Sequence, residues 1–142
     1  MNKLTLVALV GLAVVVGVGC QKRTGRGVAS SKAVKGLESV HFDYDQSVIK
    51  GEYKDALEKN KKYLEENASL KVTVEGHCDE RGSEEYNIAL GHRRAKSTKD
   101  YLVSLGVAAS RLGTKSFGEE KPLESCHNES CWWKNRRAEF VK

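Results

Sequence analysis

Local metal-binding spacing is missing from this chain. Its four cysteines and four histidines include no CxxC and no HxxxH, so nothing indicates a zinc site built from one short segment. Aromatic residues are scarce, at 7%, and none is interleaved with basic residues in the way that stacks bases. The net charge of +5 is mild, and 19 acidic residues are spread among the basic ones, which argues against nucleic acid as a partner. Outside residues 4–19 there is no long apolar run. That run has 16 uncharged, mainly apolar residues, short of the roughly 20 that a membrane-spanning helix needs. At 142 residues, with 39% hydrophobic and 30% charged, the chain has room for one modest core plus appendages and not for two.

The first appendage is MNKLTLVALVGLAVVVGVGC. Lys3 provides a positive start, and the apolar run after it reads as an export signal over residues 1–19. The run closes on Val18, Gly19 and Cys20, and a small residue before a cysteine resembles a bacterial lipoprotein processing site. By that resemblance Cys20 becomes the acylated mature N-terminus. Gly17 departs from the pattern, which prefers leucine or a similar apolar residue there. The competing reading is an uncleaved membrane anchor that contains a cysteine. Residues 21–37 carry five basic residues, three glycines and no acid, and they show no sustained apolar period. With Cys20 they are expected to form a flexible basic tether over residues 20–37. Fully extended, such a tether reaches about 55–60 Å, and its charges are compatible with acidic lipid headgroups.

Residues 38–142 hold the domain. SVHF at 39–42 alternates and ends at the turn-forming FDYD, as a short strand does. Over residues 51–67, Tyr53, Ala56, Leu57, Asn60 and Leu64 recur at helical spacing. KVTVEG at 71–76 is β-branched and alternating. Ile88, Gly91, Ala95, Thr98, Leu102 and Leu105 mark the buried stripe of a long helix ending at Gly106, whose small members allow close approach to a sheet. RLGTKSF at 111–117 and RRAEFV at 136–141 supply two more strands. The pattern predicts an α/β (α+β) sandwich, with both long helices packed on one face of a small sheet.

The chemistry is concentrated in GHCDERGSEEYNIALGHRRA, residues 76–95. A strand ends at Gly76, an acidic loop follows, and a helix begins near Ser83 or Glu84. At such a junction the first N–H groups of the helix lack partners and its dipole favours anions. Asp79 lies in the loop and Arg94 three turns into the helix. If they meet in one pocket they can hold a zwitterion, the carboxylate taking an ammonium and the guanidinium a carboxylate. Spacing does not establish that they meet. The same pattern describes a solvated loop and an arginine on a polar helix face.

The run VHFDYD at 40–45, VTVEGHCDERGSEEYNIALGHRRA at 72–95, YL at 101–102 and KNRRAEF at 134–140 closely resembles the OmpA-like C-terminal domain family, in particular its peptidoglycan-associated lipoprotein branch. The likeness extends over residues 38–142. It implies a βαβαβ-type domain with a small mixed sheet. It also implies a protein without cofactor or catalysis that grips the zwitterionic end of meso-diaminopimelate in the peptide stem of peptidoglycan. Asp79 stands in the GH-x-D motif as the ammonium holder. Arg94 stands in N-x-x-L-x-x-x-RA as the carboxylate holder, and Asn87 is the matching asparagine. Phe42 and Asp43 belong to the FDYD loop that lines the family's pocket. By the same likeness the chain would be lipid-anchored in the outer membrane, facing the periplasm. It would serve the Tol-Pal envelope and cell-division system and exchange between the wall and a periplasmic propeller protein. Gln21, where inner-membrane lipoproteins commonly carry Asp, fits the outer membrane.

Other chemistries compete with this one. His77, Cys78 and Asp79 are contiguous, but neighbours on a strand end point in alternating directions, which disfavours zinc. Cys78 lacks a nucleophile signature; by the resemblance it fills a slot that holds Ala or Thr in other members. His77 is expected to orient other groups. Cys126 and Cys131 flank HNES beyond Pro122, and in an exported chain a local disulfide is expected, worth on the order of 2 kcal/mol for so small a loop. Trp132 and Trp133 are adjacent, so one is expected inside and one outside. One of Arg136 and Arg137 is expected to support the pocket. Two rival functions remain: a cysteine- or metal-dependent wall hydrolase, and a protein-binding adaptor with a vestigial pocket.

Overall fold

A computed structural model of the chain describes residues 32–142. The expected signal, Cys20 and most of the expected tether lie outside the described residues. The elements run β1 (Val40–His41), α1 (Lys54–Glu66), β2 (Val72–His77), α2 (Glu84–Ser104), β3 (Leu112–Gly118), α3 (Glu129–Asn135) and β4 (Arg137–Val141). The sheet order is β1-β4-β2-β3. β2 and β3 are parallel, with α2 as their crossover, and both other pairings are antiparallel, so the sheet is mixed.

Alternation along the strands builds one core. Val72 and Val74 of β2, Ala138 and Phe140 of β4, and Val40 of β1 meet Leu57 and Leu64 of α1 and Ala95 and Leu102 of α2. Both long helices therefore bury their stripes in the same cluster. Ser83 ends the loop before α2 in extended conformation, and its side chain accepts a hydrogen bond from the Tyr86 N–H at 3.2 Å, an N-cap that starts the helix at a defined residue.

Helix α2 lies unusually close to β2 because two glycines face each other. A Cβ on Gly76 would stand 1.8 Å from the Gly91 carbonyl oxygen, and one on Gly91 would stand 2.3 Å from Ser116 Oγ. No side chain fits between them, so the strand end and the second turn of the helix are held backbone to backbone.

The structure departs from the expected layout in three places. The last residues assigned to the tether belong to the fold: Ala33 forms an isolated bridge with Val141, the Val34 N–H donates to Phe140 O at 2.9 Å, and Val34 and Leu37 pack on the core. The reason is that β1 pairs only with Arg137 and Ala138, which leaves the far half of the β4 edge in need of partners. Second, the segment joined by the Cys126–Cys131 disulfide leads into a helix, α3, capped by Asn128 accepting from the Ser130 N–H at 2.9 Å. Seven residues are too few to show a helical period. Third, neither tryptophan enters the core: Trp132 is half-buried and Trp133 exposed, while the inward positions of α3 are taken by Cys131 and Asn135.

Gly76→Ala is expected to cost about 3 kcal/mol or more, since a methyl group cannot be placed without separating α2 from β2. Gly51→Ala meets nothing within 4 Å and should shift stability by less than about 1 kcal/mol. Urea denaturation of both variants tests the contrast.

Candidate functional site

The β2–α2 junction forms one wall of a cavity of about 140 Å³ lined by Tyr44, Asp45, Cys78, Asp79, Arg81, Gly82, Tyr86, Asn87, Leu90 and Arg94. That is small beside the roughly 300–1,000 Å³ of sites that engulf a drug-sized ligand; it suits the end of one side chain. Asp79 and Arg94 both line it, so the topology brings together two residues 15 positions apart. They do not pair with each other.

Arg94 is fully buried. Its Nε donates to Gln46 O at 2.8 Å, Nη1 to His77 O at 2.9 Å and Nη2 to Asp43 O at 3.1 Å. These are backbone carbonyls, and among the described residues no carboxylate forms an ion pair with it. Burial disfavours its charge and lowers its pKa, against the raising influence of Cys78 and Asp79. The guanidinium is thus positioned without being neutralised. The loop that supplies two of the carbonyls turns at Asp45, whose φ of 55° is a left-handed conformation that a short polar residue tolerates.

Asp79 is also buried, at 3% exposure, but it is fully engaged. Oδ1 accepts from the Arg81 N–H and from Arg81 Nε, each at 3.1 Å, and Oδ2 accepts from Arg81 Nη2 at 2.8 Å and Arg136 Nη1 at 3.2 Å. Burial alone would raise its pKa; the Arg81 and Arg136 hydrogen bonds outweigh that and hold it below the usual range. Arg81 is sandwiched 4.0 Å from the ring centroids of both Tyr44 and Trp132, a cation–π clamp, and Glu80 accepts from Trp132 Nε1 at 2.9 Å. Arg136 also donates to Phe42 O at 2.9 Å and pairs with Glu129.

The other expected residues are placed as follows. Asn87 is buried and ties the loop to the helix, its Nδ2 donating to Asp79 O, Arg81 O and Glu119 Oε2 at 3.3, 3.2 and 2.5 Å. Phe42 lies behind the cavity, its ring 5.3 Å from the Arg94 guanidinium carbon. Asp43 contributes its carbonyl to Arg94, while its carboxylate points outward to Lys50 at 3.2 Å. The wall positions near that loop belong to Tyr44 and Asp45, and Asp45 accepts a hydrogen bond from the Tyr86 hydroxyl. The Cys78 thiol donates to Asn87 O at 3.3 Å, and desolvation pushes its pKa up to about 11, which keeps it from acting as a thiolate nucleophile at neutral pH. The expectation that the His77 ring orients the site is corrected: strand alternation turns it to the opposite face of the sheet, towards Glu139, and only its carbonyl reaches Arg94. Arg137 also faces that way, so of the two arginines Arg136 is the one at the site.

Sequence reasoning passed over Arg81, Tyr44 and Trp132. The signal available was the aromatic residues of FDYD and CWWK and the arginine of CDER, which become a stack only when three separate segments converge.

The domain is a small mixed-sheet α/β module that presents a charged cleft at a strand-to-helix junction. The chain belongs to the OmpA family, whose model matches residues 41–136. It is 42% identical over 146 residues to a peptidoglycan-associated lipoprotein of Pasteurella multocida, covering 97% of each chain. It is 46% identical over 104 residues to one of Agrobacterium fabrum, where it covers 73% of this chain and 59% of the relative. The chain thus spans about three-fifths of the length of that longer relative. The crystal structure of the peptidoglycan-associated lipoprotein from Burkholderia pseudomallei superposes with a TM-score of 0.71 at 38% identity, covering 72% of this chain and 87% of that one.

The depressed Asp79 pKa sets an acid limit. The carboxyl's folded pKa lies below its ordinary value of 3.8, so its stabilising contribution is complete above about pH 4 and is lost as the pH falls through the folded value. Asp79→Asn is expected to flatten the low-pH limb of stability measured by chemical denaturation between pH 7 and 2. Glu139, whose pKa is lowered to about 2, retains part of that limb.

Proposed function

We propose that the chain is a lipid-anchored envelope protein that binds peptidoglycan noncovalently through the zwitterionic end of meso-diaminopimelate. The observation that carries this reading is Arg94: a buried guanidinium, fixed by three carbonyls and facing a side-chain-sized cavity without a counter-carboxylate. A ligand carboxylate completes it with a charge-assisted pair. The ligand ammonium goes to Asp79, and because the two Asp79 oxygens already accept four hydrogen bonds, it must replace Arg81 there. Arg81 is the partner able to leave, with a side chain 31% exposed against 6% for Arg136. Lysine-type stems offer no second carboxylate to Arg94 and bind worse.

The names of the relatives support the peptidoglycan assignment. In this reading residues 1–19 are removed, Cys20 carries lipid, and the residues up to the Ala33 bridge form the tether. The same likeness supports an outer-membrane location facing the periplasm and a place in the Tol-Pal system with a propeller partner.

Co-sedimentation with diaminopimelate-type sacculi tests the site. Asp79→Asn and Arg94→Ala are each expected to weaken binding at least tenfold, the equivalent of losing about 1.5–3 kcal/mol, in proteins whose melting curves show them folded. Arg81→Ala is expected to bind as tightly as the unaltered chain or more tightly. Equal pelleting of all variants would remove the site from the binding reaction and favour the protein-adaptor alternative.

A further inference from the structure

The sheet face turned away from α1 and α2 carries a second group of ionisable side chains, separate from the cavity. Glu75 and His77 lie two apart on β2 and so share this face, and Glu139 of β4 stands directly opposite Glu75 in register. Like charges placed directly across a strand pair are destabilising, and here they are shielded from water: Glu75 is 3% exposed and His77 0%, and the Glu139 side chain is 20% exposed. Among the described residues Arg137 is the cation that pairs with them: it donates to Glu139 from Nη2 at 3.0 Å and Nε at 3.2 Å, and Glu75, although Lys115 stands opposite it in the β2–β3 register, has no arginine or lysine in ion-pair reach. Lys115 and Lys121 stand over the Phe117 ring, 4.3 and 3.5 Å from its centroid, and form no ion pair with either carboxylate among the described residues.

His77 is the second observation. Its ring stacks on Phe117 with centroids 5.7 Å apart, and among the described residues neither ring nitrogen has a hydrogen-bond partner. Nε2 nevertheless lies 3.1 Å from Glu139 Oε1 and 3.8 Å from Glu75 Oε2. The contact with Glu139 is short but too poorly aligned for a hydrogen bond. Two donors bound tetrahedrally to one metal at about 2.0–2.1 Å stand about 3.3 Å apart, and the two separations straddle that value. All three donor atoms lie within 4.8 Å of one another.

We propose that His77 Nε2 and one oxygen each of Glu75 and Glu139 bind a divalent transition-metal ion of the zinc class, the fourth position being left for water. One nitrogen with two carboxylates is a donor set that such ions accept. Arg137 donates to both oxygens of Glu139, Nη2 to Oε1 and Nε to Oε2, so the ion takes a remaining lone pair of Oε1 while the guanidinium orients that ligand from behind. Burial keeps the ring neutral at pH 7, against the raising influence of Glu139, and Glu139 is ionised, which are the protonation states that coordination requires. The ligands come from two strands, so no local sequence spacing reveals them.

The test is a calorimetric titration of the purified full-length chain in detergent, stripped with chelator, using Zn²⁺. One ion per chain is expected, with a rise in melting temperature. Glu75→Gln and Glu139→Gln should each weaken binding at least tenfold, and His127→Ala, which removes the exposed His127–Glu80 pair, should leave it unchanged. Histidine-ring NMR of the unaltered chain gives a readout that needs no variant: Zn²⁺ should perturb the His77 signals first. Absence of stoichiometric binding, binding retained in both glutamine variants, or first perturbation of another histidine would each overturn the proposal.

Discussion

A buried arginine without an acidic partner is the constraint around which this domain is arranged. A guanidinium removed from water needs its donors satisfied, and Arg94 obtains this from three carbonyls in two separate segments: the 43–46 loop and the last residue of β2. Three of its five N–H groups are committed in that way, which fixes the ring of backbone around it. The approach that allows this is the Gly76–Gly91 contact, since α2 must lie against the end of β2 for the Arg94 head to reach the His77 carbonyl. The cavity's position follows from backbone geometry at two glycines and one buried charge.

The second carboxylate-centred group obeys a different rule. Around Asp79 the protein has supplied matched charges, with Arg81 and Arg136 set against Asp79 and Glu129. Around Arg94, among the described residues, no carboxylate is close enough to form an ion pair. The cavity wall carries two acids, Asp45 and Asp79, and two arginines, Arg81 and Arg94; Asp79 takes up Arg81 while Arg94 is met by carbonyls alone, so an anionic group gains most beside Arg94. The stack of Tyr44, Arg81 and Trp132 closes one side, and its integrity depends on α3, which the Cys126–Cys131 link and the Asn128 cap hold in place.

Most of the layout could be read from the sequence because it is written in periodicity. The VTV alternation of β2, the stripe from Ile88 to Leu105 and the Ser83 cap each leave a local mark, and the corresponding elements lie close to their expected bounds. Asp79 and Arg94 were legible as types at a junction, and the family likeness supplied the pairing that spacing could not. What escaped has a common cause. Arg81 on Trp132, Glu75 opposite Glu139 and Val34 on Phe140 are contacts between distant segments, with no period or motif to announce them. The outward turn of the His77 ring was readable in principle from strand alternation, but GHCD invites reading as a single cluster when two of its neighbours belong to opposite faces.

The isolated bridge between Ala33 and Val141 bears on how the domain responds to tension. Any pull arriving along the chain from residues before 32 enters the fold at this bridge, at the edge of β4 and away from the cavity. The Ala33 bridge, the hydrogen bonds from Val34 N–H to Phe140 O and from Lys142 N–H to Lys32 O, and the packing of Val34 and Leu37 are a smaller attachment than the paired strands behind them. Peeling that attachment releases the five residues from Ala33 to Leu37, about 17 Å of extra reach at roughly 3.4 Å per residue, while β2, α2 and the buried arginine stay unloaded. The attachment from Ala33 to Leu37 thus lies in series with the chain that precedes it and lengthens before the cavity is deformed.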